Sequence, residues 1–482
     1  MENKTIIKSF SWKLFERFSI QGVNLLVQII LARLLLPAEF GMLTIIVAIT
    51  NYLLIFVQTG LGTAIIQKED LDKTDISTLL ITSLAVALIC YILLFSLAPL
   101  FARYYNMPDL ISPLRVLGLV LFFNAIYSIQ MALYTRDMKF KILFVISIIS
   151  VLVSGGISIL LAMNGWGIWS LVFQNLINVV SFVLITGLSR DFNVGFSFSF
   201  IKMKQIYKFS GQILLTSIIS GLHDLIRTSV IGKNYSKESL AYYDKGLSYS
   251  WYICNISNNT LSAVLLPVFS RIQTDKNSLL SYARRSMRIT SFIMFPLLFG
   301  VSAISESLIT VLLTDKWSSA AIFLSIFCIL RLAGCLETID KQVYYAIGNS
   351  TINLIYEICL LVVNVVTIFL SLKKGIVVMA ICAAGVEILF LFVIFLISSR
   401  VYGYSLKQRI MDIWRPLMNS IIMFFAIRSI KTLFNSVILR LLVLVSMGIV
   451  VYFFLSIITK DPSLQTIVSS FKSGRRKQDA EQ

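Results

Sequence analysis

Runs of apolar residues, each long enough to cross a bilayer as a helix, follow one another along most of the chain. A membrane-spanning helix needs about 20 mostly apolar residues. Hydrophobic residues make up 57% of the sequence and charged residues only 14%, against roughly 25% charged in a soluble domain. The sequence therefore predicts an all-α polytopic membrane protein with about 14 spans. The runs lie at residues 12–35, 40–66, 76–102, 111–135, 140–163, 166–188, 209–232, 240–270, 285–313, 319–347, 350–372, 375–399, 411–430 and 436–458.

The predicted spans repeat weakly, with an offset of about 200 residues. LARLLLPAEFG from Leu31 aligns with IGKNYSKESLA from Ile231, which places Arg33 opposite Lys233. Two halves of six spans in the same orientation are typical of transporters with two lobes around a central cavity. The predicted organisation is an N-lobe at 1–189, a cytoplasmic linker at 190–208, a C-lobe at 209–400, two further spans within 401–458 and a basic cytoplasmic tail at 459–482.

Basic residues are distributed unevenly between the two sides of the predicted bilayer. The chain has 42 Lys and Arg against 24 Asp and Glu, a formal charge of +18. With the N-terminus inside, 27 of the 42 basic residues fall in inside segments and 11 in outside segments. Because cytoplasmic loops are enriched in Lys and Arg, this distribution predicts cytoplasmic termini. It also accounts for the positive charge without a nucleic-acid partner.

Sequence motifs for catalysis are absent from the chain. It has no phosphate-binding GxxxxGK[ST], no HExxH and no Gly-rich nucleotide loop, and it contains a single histidine. The six cysteines lie in apolar runs without paired or metal-type spacing. The sequence therefore predicts a protein that is not an enzyme, holds no metal or other cofactor and does not itself use ATP.

Polar residues recur at helical spacing within the first two predicted spans. Because lipid offers no hydrogen bonds, such stripes face a neighbouring helix or a water-filled cavity. For the amides, hydrogen bonding between helices and contact with a sugar are both open. Arg17 favours a cavity, because a buried guanidinium needs an anion or water. The residues are Arg17, Gln21, Asn24 and Gln28 in the first span, and Asn51 and Gln58 in the second.

The eighth predicted span carries a cationic, aromatic and amide-rich stripe. Its spacing of i, i+4, i+7, i+10 and i+14 places these residues on one helix face. An interfacial aromatic belt is the alternative interpretation for tyrosines near its end. The stripe consists of Lys245, Tyr249, Tyr252, Asn255 and Asn259.

Acidic side chains are almost absent from the predicted spans of the N-lobe, whereas several lie within those of the C-lobe. A buried acid is costly unless it is paired, hydrated or bound to an ion. Asp224 lies three residues from Arg227, and Glu337 four residues from Lys341, so salt bridges are the alternative to a role in ion coupling. The coupling candidates are Asp224, Glu337, Asp340 and Glu357, and the twelfth span adds Glu387.

Several segments between residues 9 and 400 together carry a family resemblance. The segments are WKLFERFSIQGVNLLVQIILARLLLPAEFG, FVQTGLGTAIIQKED, LRVLGLVLFFNAIYSIQMALYTRDMKFK, IGKNYSKESLAYYDKG, LLPVFSRIQTDK and RRSMRITSFIMFPLLFGVSAISESLITVLLTDKW. They resemble polysaccharide transporters of the Wzx type, which belong to the multidrug/oligosaccharidyl-lipid/polysaccharide exporter superfamily.

The resemblance implies two six-helix lobes around a V-shaped cavity, two additional C-terminal helices and alternating access. It implies a flippase in the bacterial inner membrane that moves undecaprenyl-diphosphate-linked oligosaccharide to the periplasmic leaflet for assembly of O-antigen, capsule or exopolysaccharide. Membrane lipids, a polysaccharide polymerase and chain-length proteins are candidate partners, and coupling to H+ or Na+ stays open. By analogy with cationic cavities in this superfamily, the candidates for holding the diphosphate are Arg17, Arg33, Arg227, Lys245 and Arg331.

Two other functions remain as alternatives. An ion-coupled multidrug exporter of the same superfamily should present a mainly acidic pocket to cationic drugs, whereas the cations Arg227, Lys245, Arg331 and Lys341 lie within the predicted spans here. The acids listed above nevertheless keep this alternative open. A membrane polysaccharide polymerase or ligase would have a large periplasmic loop, and every predicted outside loop is short.

Overall fold

The computed structural model describes residues 19–58, 65, 71–188, 197–430 and 436–464, without the side chains of 205–213, 216 and 256. Within these ranges the chain is helical and contains no β-strand. The helices are α1 (Ser19–Leu34), α2 (Pro37–Gln58), α3 (Lys73–Tyr105), α4 (Pro108–Arg136), α5 (Phe140–Met163), α6 (Ile168–Gly187), α7 (Phe200–Asn234), α8 (Lys237–Arg271), α9 (Lys276–Leu313), α10 (Ala320–Ala346), α11 (Ser350–Ser371), α12 (Ile376–Tyr402), α13 (Leu406–Ile430) and α14 (Val437–Ile458).

Most of these helices have the length and composition of membrane spans. In the described part of the chain, eleven are long and apolar enough to cross a bilayer, namely α2 to α6 and α9 to α14. Large apolar side chains such as Met163 on α5 and Val450 on α14 are exposed, at 68% and 66%. Lipid rather than water is the solvent that favours such a surface. The predicted all-α polytopic membrane fold is confirmed, while the count of fourteen spans stays a prediction.

The chain divides into two compact units, residues 1–241 and 242–482. In the N-terminal unit, α5 packs on α6, α3 on α4, and α7 on both α2 and α3. The segment that enters α7 is tied to α3, because the backbone N–H of Ser197 donates to Ser77 Oγ at 2.9 Å and that of Ser199 to Thr78 Oγ1 at 3.1 Å. The helix that follows the predicted linker therefore packs within the N-terminal unit. The predicted lobe boundaries stay a prediction.

An ion pair next to these contacts joins the start of α3 to the start of α7. Asp72 caps α3 by accepting from the backbone N–H of Asp75, and the Lys202 ammonium also bonds to the Asp72 carboxylate. The hydrogen bond from Lys202, followed by that from Asp75, lowers the pKa of Asp72 to about 2. The same pairing raises the pKa of Lys202. The pair is therefore ionised at neutral pH.

Glycine allows close approach at the beginning of α2. A Cβ atom added to Gly41 would lie 1.9 Å from the carbonyl oxygen of Lys237. Nearby, the hydroxyl of Tyr105 at the end of α3 donates to Ser229 Oγ on α7 at 2.8 Å. The α7–α8 turn therefore packs directly on the backbone of α2, and a larger residue at position 41 would separate them.

In the C-terminal unit, α9 is the central helix and contacts α10, α13 and α14. A buried apolar cluster that includes Phe292, Met423 and Tyr452 joins α9 to α13 and α14. The hydroxyl of Tyr452 donates to the carbonyl oxygen of Phe292 at 2.9 Å. Helices α10, α11 and α12 pack together beside α9, because α12 contacts both α10 and α11.

Candidate functional site

Amide side chains in the N-terminal unit bond to amides on neighbouring helices. Gln28 on α1 donates to Oε1 of Gln174 on α6 at 3.2 Å. Gln58 on α2 donates to Oδ1 of Asn124 on α4 at 2.8 Å. Gln28 and Gln58, both predicted to contact a sugar, therefore make interhelical hydrogen bonds, the alternative role predicted for these amides from the sequence. Their contact with a sugar stays a prediction.

The other polar candidates of α1 and α2 are more accessible. Gln21 and Asn24 are half-buried on α1, and Arg33 near its end is exposed. Asn51 is exposed on α2. Arg17 lies outside the described residues. The stripe of α1 is thus open enough to meet water or a ligand at Gln21 and Asn24.

A polar group on α7 combines the single histidine with an ion pair. Arg227 Nη2 lies 2.9 Å from Asp224 Oδ1, and His223 Nδ1 lies 3.9 Å from the same oxygen. The Asp224 side chain is 65% exposed and that of Arg227 only 18%. Asp224 therefore lies on the accessible side of the group, and Arg227 is held against the helix bundle.

The predicted stripe on α8 has a buried cationic end. Lys245 and Tyr249 are buried, and Tyr252 is half-buried. The Lys245 ammonium lies 5.9 Å from the centre of the Trp317 ring, within the range of a cation–π interaction. The Tyr249 hydroxyl is buried without a hydrogen-bond partner in the described part of the chain. Because a buried hydroxyl without a partner is costly, Tyr249 is a position where a ligand or water would be stabilised.

Further along α8, two predicted sugar contacts bond to each other. Asn259 Nδ2 donates to Oδ1 of Asn255 at 2.8 Å and to its carbonyl oxygen at 2.7 Å. Both side chains are only partly buried. The pair therefore keeps donors and acceptors for a further partner.

Three acids and two cations meet on α10, α11 and α12. Lys341 Nζ lies 2.8 Å from Glu337 Oε1 and 2.8 Å from Glu357 Oε1. The Tyr356 hydroxyl donates to Glu337 Oε2 at 2.5 Å. Glu387 on α12 interacts electrostatically with these acids and with Lys341 and Arg331. We call this set the α10–α12 cluster, consisting of Arg331, Glu337, Lys341, Tyr356, Glu357 and Glu387.

The α10–α12 cluster carries one negative charge in excess when all five charged groups are ionised. Glu337 is 9% exposed, whereas Glu357 is 41% exposed, so one side of the cluster is open. Glu387 accepts no hydrogen bond from the described residues. A proton or a monovalent cation would neutralise the excess charge. No group of three or more His, Cys, Asp or Glu side chains with metal-binding spacing occurs in the described ranges.

Arg331 is the cation of this cluster that lacks a close acidic partner. Its Nε is buried and has no hydrogen-bond partner among the described residues. Its carbonyl oxygen is 3.6 Å from Cys254 Sγ on α8. A guanidinium in this position has donors left for an anionic ligand.

Asp340, the fourth predicted coupling acid, lies in a closed and neutral ion pair. Arg409 Nη1 and Nη2 donate to its two oxygens at 2.9 Å and 2.7 Å, and both side chains are 0% exposed. Ser398 donates to the same carboxylate at 2.7 Å, and Tyr402 donates to it as well. The guanidinium also stacks 4.0 Å from the Tyr404 ring centre. Geometry therefore indicates that this pair joins α10 to α12 and α13, and a coupling role for Asp340 stays a prediction.

Sequence reasoning did not identify Arg409 as a buried partner. Arg409 falls between the predicted spans 375–399 and 411–430, which places it in an inside segment. The signal that could have found it is the aromatic YGY stretch just before, which supplies Tyr402 and Tyr404 as stacking partners.

Comparison with known proteins identifies a family. The family model described as polysaccharide biosynthesis protein matches residues 30–322. The chain is 24% identical over 320 residues to the succinoglycan biosynthesis transport protein ExoT of Rhizobium meliloti, and the match covers 66% of this chain and 64% of that protein. It is 22% identical to the teichuronic acid biosynthesis protein TuaB of Bacillus subtilis, with 86% of each chain covered. It is also 22% identical to the lipopolysaccharide biosynthesis protein WzxC of Escherichia coli, with 86% and 85% covered.

Solved structures show the same fold. The lipid II flippase MurJ in an inward closed conformation superposes with a TM-score of 0.75 at 15% identity, covering 93% of this chain and 98% of that one. An inward-facing multidrug transporter of the MATE family and MOP superfamily gives a TM-score of 0.61 at 15% identity, covering 83% and 98%. The resemblance predicted from sequence is confirmed. Since the family model covers more than half of the chain, the protein belongs to the polysaccharide biosynthesis protein family.

Proposed function

We propose that the protein is a flippase that moves an undecaprenyl-diphosphate-linked oligosaccharide from the cytoplasmic to the periplasmic leaflet. The product would be used to assemble O-antigen, capsule or exopolysaccharide. The distribution of basic residues supports placing both termini in the cytoplasm, and the family supports the bacterial inner membrane as the location. Transfer of the flipped lipid to a polysaccharide polymerase and chain-length proteins belongs to the same proposal.

One observation carries this proposal: a polysaccharide biosynthesis family model matches a chain with the fold of a lipid-linked sugar flippase. The family relates the chain to polysaccharide assembly, and the fold relates it to movement of large amphipathic lipids across a bilayer. The relatives and solved structures named here by an activity are transport proteins and flippases. This agrees with the predicted lack of enzymatic activity.

Each unit by itself offers cationic side chains that suit the anionic diphosphate of such a substrate. Arg33 lies on α1, Arg227 on α7, Lys245 on α8 and Arg331 on α10. Arg331 supports the proposal best, because its Nε has no hydrogen-bond partner among the described residues. Guanidinium groups bind phosphate oxygens with short, charge-assisted hydrogen bonds.

The α10–α12 cluster supports coupling of transport to a proton or sodium gradient. It has an excess negative charge, one partly exposed acid, Glu357, and one acid, Glu387, that accepts no hydrogen bond from the described residues. Binding of a cation there would neutralise the charge, and its release would restore the charge. Of the predicted coupling acids, Glu337 and Glu357 belong to this cluster.

Reconstituted liposomes test the proposal. An undecaprenyl-diphosphate oligosaccharide is loaded in one leaflet, and its exposure to an impermeant enzyme on the other side is followed, with a cationic dye as competing substrate. Protein-dependent exposure of the sugar lipid without dye movement is the expected result. Arg331→Gln should slow this exposure, whereas Arg428→Gln, which removes an exposed arginine of α13, should leave it unchanged.

An ion-coupled multidrug exporter is the alternative, favoured by the MATE fold likeness and by the acids of the α10–α12 cluster. Dye movement without movement of the sugar lipid would replace the flippase proposal by this one. Absence of both movements from folded, reconstituted protein would refute both.

A further inference from the structure

We infer that Arg284 and Arg288 on α9 form a binding site for the phosphate of an anionic phospholipid. The two arginines are held by one carboxylate, Asp412 on α13, and all three lie outside the proposed transport site. The inference does not depend on what the protein transports.

Asp412 is saturated by its partners. Arg284 Nε and Nη2 donate to its two oxygens at 2.8 Å and 3.0 Å. Arg288 Nε donates to Oδ1 at 2.7 Å, and the Tyr404 hydroxyl donates to Oδ2 at 2.8 Å. The Asp412 side chain is 2% exposed. A carboxylate accepts about four hydrogen bonds, so the acid orients both guanidinium groups and has no capacity left for another partner.

The arrangement leaves one positive charge in excess. Two guanidinium groups share one carboxylate, and their side chains are 29% and 34% exposed. A guanidinium has five N–H donors, and Asp412 engages only Nε and Nη2 of Arg284 and of Arg288. The ion pair of Arg409 and Asp340 differs from this arrangement, because it has one cation for one acid and is fully buried. A single arginine would therefore be sufficient to neutralise Asp412.

The excess charge lies at the depth of lipid head groups. α9 has 38 residues, which at 1.5 Å per residue is about 57 Å, far longer than the roughly 30 Å hydrocarbon core. Arg288 is the last basic residue before the apolar segment 289–313, in which Glu306 is the only charge. Two residues after Asp412, Trp414 is 45% exposed, as is typical of the membrane interface.

Apolar side chains exposed deeper along the same two helices favour a lipid over a soluble anion. Ile293 and Leu297 follow Arg288 on α9 and are 51% and 45% exposed, and Met418 on α13 is 42% exposed. This part of both helices therefore offers surface to acyl chains at greater depth than the guanidinium groups. Fixed cations at head-group depth, with lipid-exposed helix surface below them, are the chemistry that recognises an anionic phospholipid.

Native mass spectrometry of the full chain in detergent tests the site, with phosphatidylglycerol and phosphatidylcholine as probes. Wild-type protein should retain phosphatidylglycerol at concentrations where phosphatidylcholine dissociates. Arg288→Gln removes the excess charge and leaves the neutral pair of Arg284 and Asp412, so phosphatidylglycerol binding should weaken by about fivefold. Arg288→Lys, which keeps the charge, should retain most of the binding. Arg428→Gln, an equal loss of charge at the other end of α13, should have no effect.

Asp412→Asn gives a second, opposite expectation. It increases the local positive charge, so phosphatidylglycerol should bind more tightly, whereas a purely structural triad would show lower stability and no gain in binding. Equal binding of the two lipids to the wild-type protein would overturn the inference. So would unchanged binding in Arg288→Gln, or competition by millimolar inorganic phosphate as effective as that by the lipid.

Discussion

Removing the Arg409 guanidinium should leave the Asp340 carboxylate unpaired in a fully buried site. The two side chains are 0% exposed and bonded at 2.7 Å and 2.9 Å. Two unit charges about 4 Å apart attract each other by about 4 kcal/mol at an effective dielectric constant of roughly 20. This agrees with the loss of about 3–5 kcal/mol seen when one partner of a buried pair is removed. We therefore expect Arg409→Met to reduce the free energy of unfolding by that amount.

The double variant Asp340→Leu with Arg409→Met should recover most of this loss, because replacing both partners by apolar groups is often nearly neutral. The free energy of unfolding of the wild type, both single variants and the double variant is measured in mixed micelles by fluorescence. Arg415→Met is the matched control, since this partly exposed arginine of α13 donates to the Lys460 carbonyl oxygen at 2.8 Å and has no acidic partner among the described residues; it should cost less than about 1 kcal/mol. A single variant as stable as the wild type would refute the reasoning.

The same cycle separates a structural from a coupling role for Asp340. If the pair only joins helices, the double variant should flip lipid at the wild-type rate once it folds. If Asp340 carries the coupling proton, the double variant should fold but lose dependence on the gradient. Transport and stability measured on one preparation therefore test the predicted role directly.

Three further predictions concern other helices. Glu387→Gln should make transport independent of an imposed proton gradient, since it removes the excess charge of the α10–α12 cluster; gradient-dependent rates in liposomes check this. The pKa of Asp72 is lowered to about 2, so its pairing with Lys202 should stabilise the fold above about pH 4 and lose this effect as the pH falls towards 2. Lys202→Met should therefore lose less thermal stability than the wild-type protein when the pH falls over that range. Gly41→Leu should lower thermal stability, because its side chain would meet the backbone of Lys237, and an unchanged melting temperature would contradict the close packing.

The fold was predictable where apolar length alone determines it. The predicted spans 140–163 and 375–399 correspond to α5 (Phe140–Met163) and α12 (Ile376–Tyr402). The prediction was less accurate at α7, which begins at Phe200 rather than 209. Its first turns, FIKMKQIYK, are helical but charged, so hydropathy cannot identify them.

Whether an ion pair of the candidate site could be predicted depended on how close its two residues lie in sequence. The pairing of Glu337 with Lys341 could be predicted, because residues four apart share a helix face. The pairing of Asp340 with Arg409 could not, because 69 residues separate them. Helix periodicity determines which face a side chain occupies, but only packing determines which helix that face contacts.

Charge balance distinguishes three ionic groups in the described part of the C-terminal unit. The Asp340 pair is neutral and closed, the arginine pair on Asp412 has one cation in excess, and the α10–α12 cluster has one acid in excess. A neutral pair is complete without a ligand, whereas an unbalanced group in a low-dielectric region is stabilised by a counterion. The two unbalanced groups also retain exposed side chains, which gives such ions access. The cationic group is therefore expected to bind an anion and the acidic group a cation, whereas the neutral pair needs no ligand for charge balance.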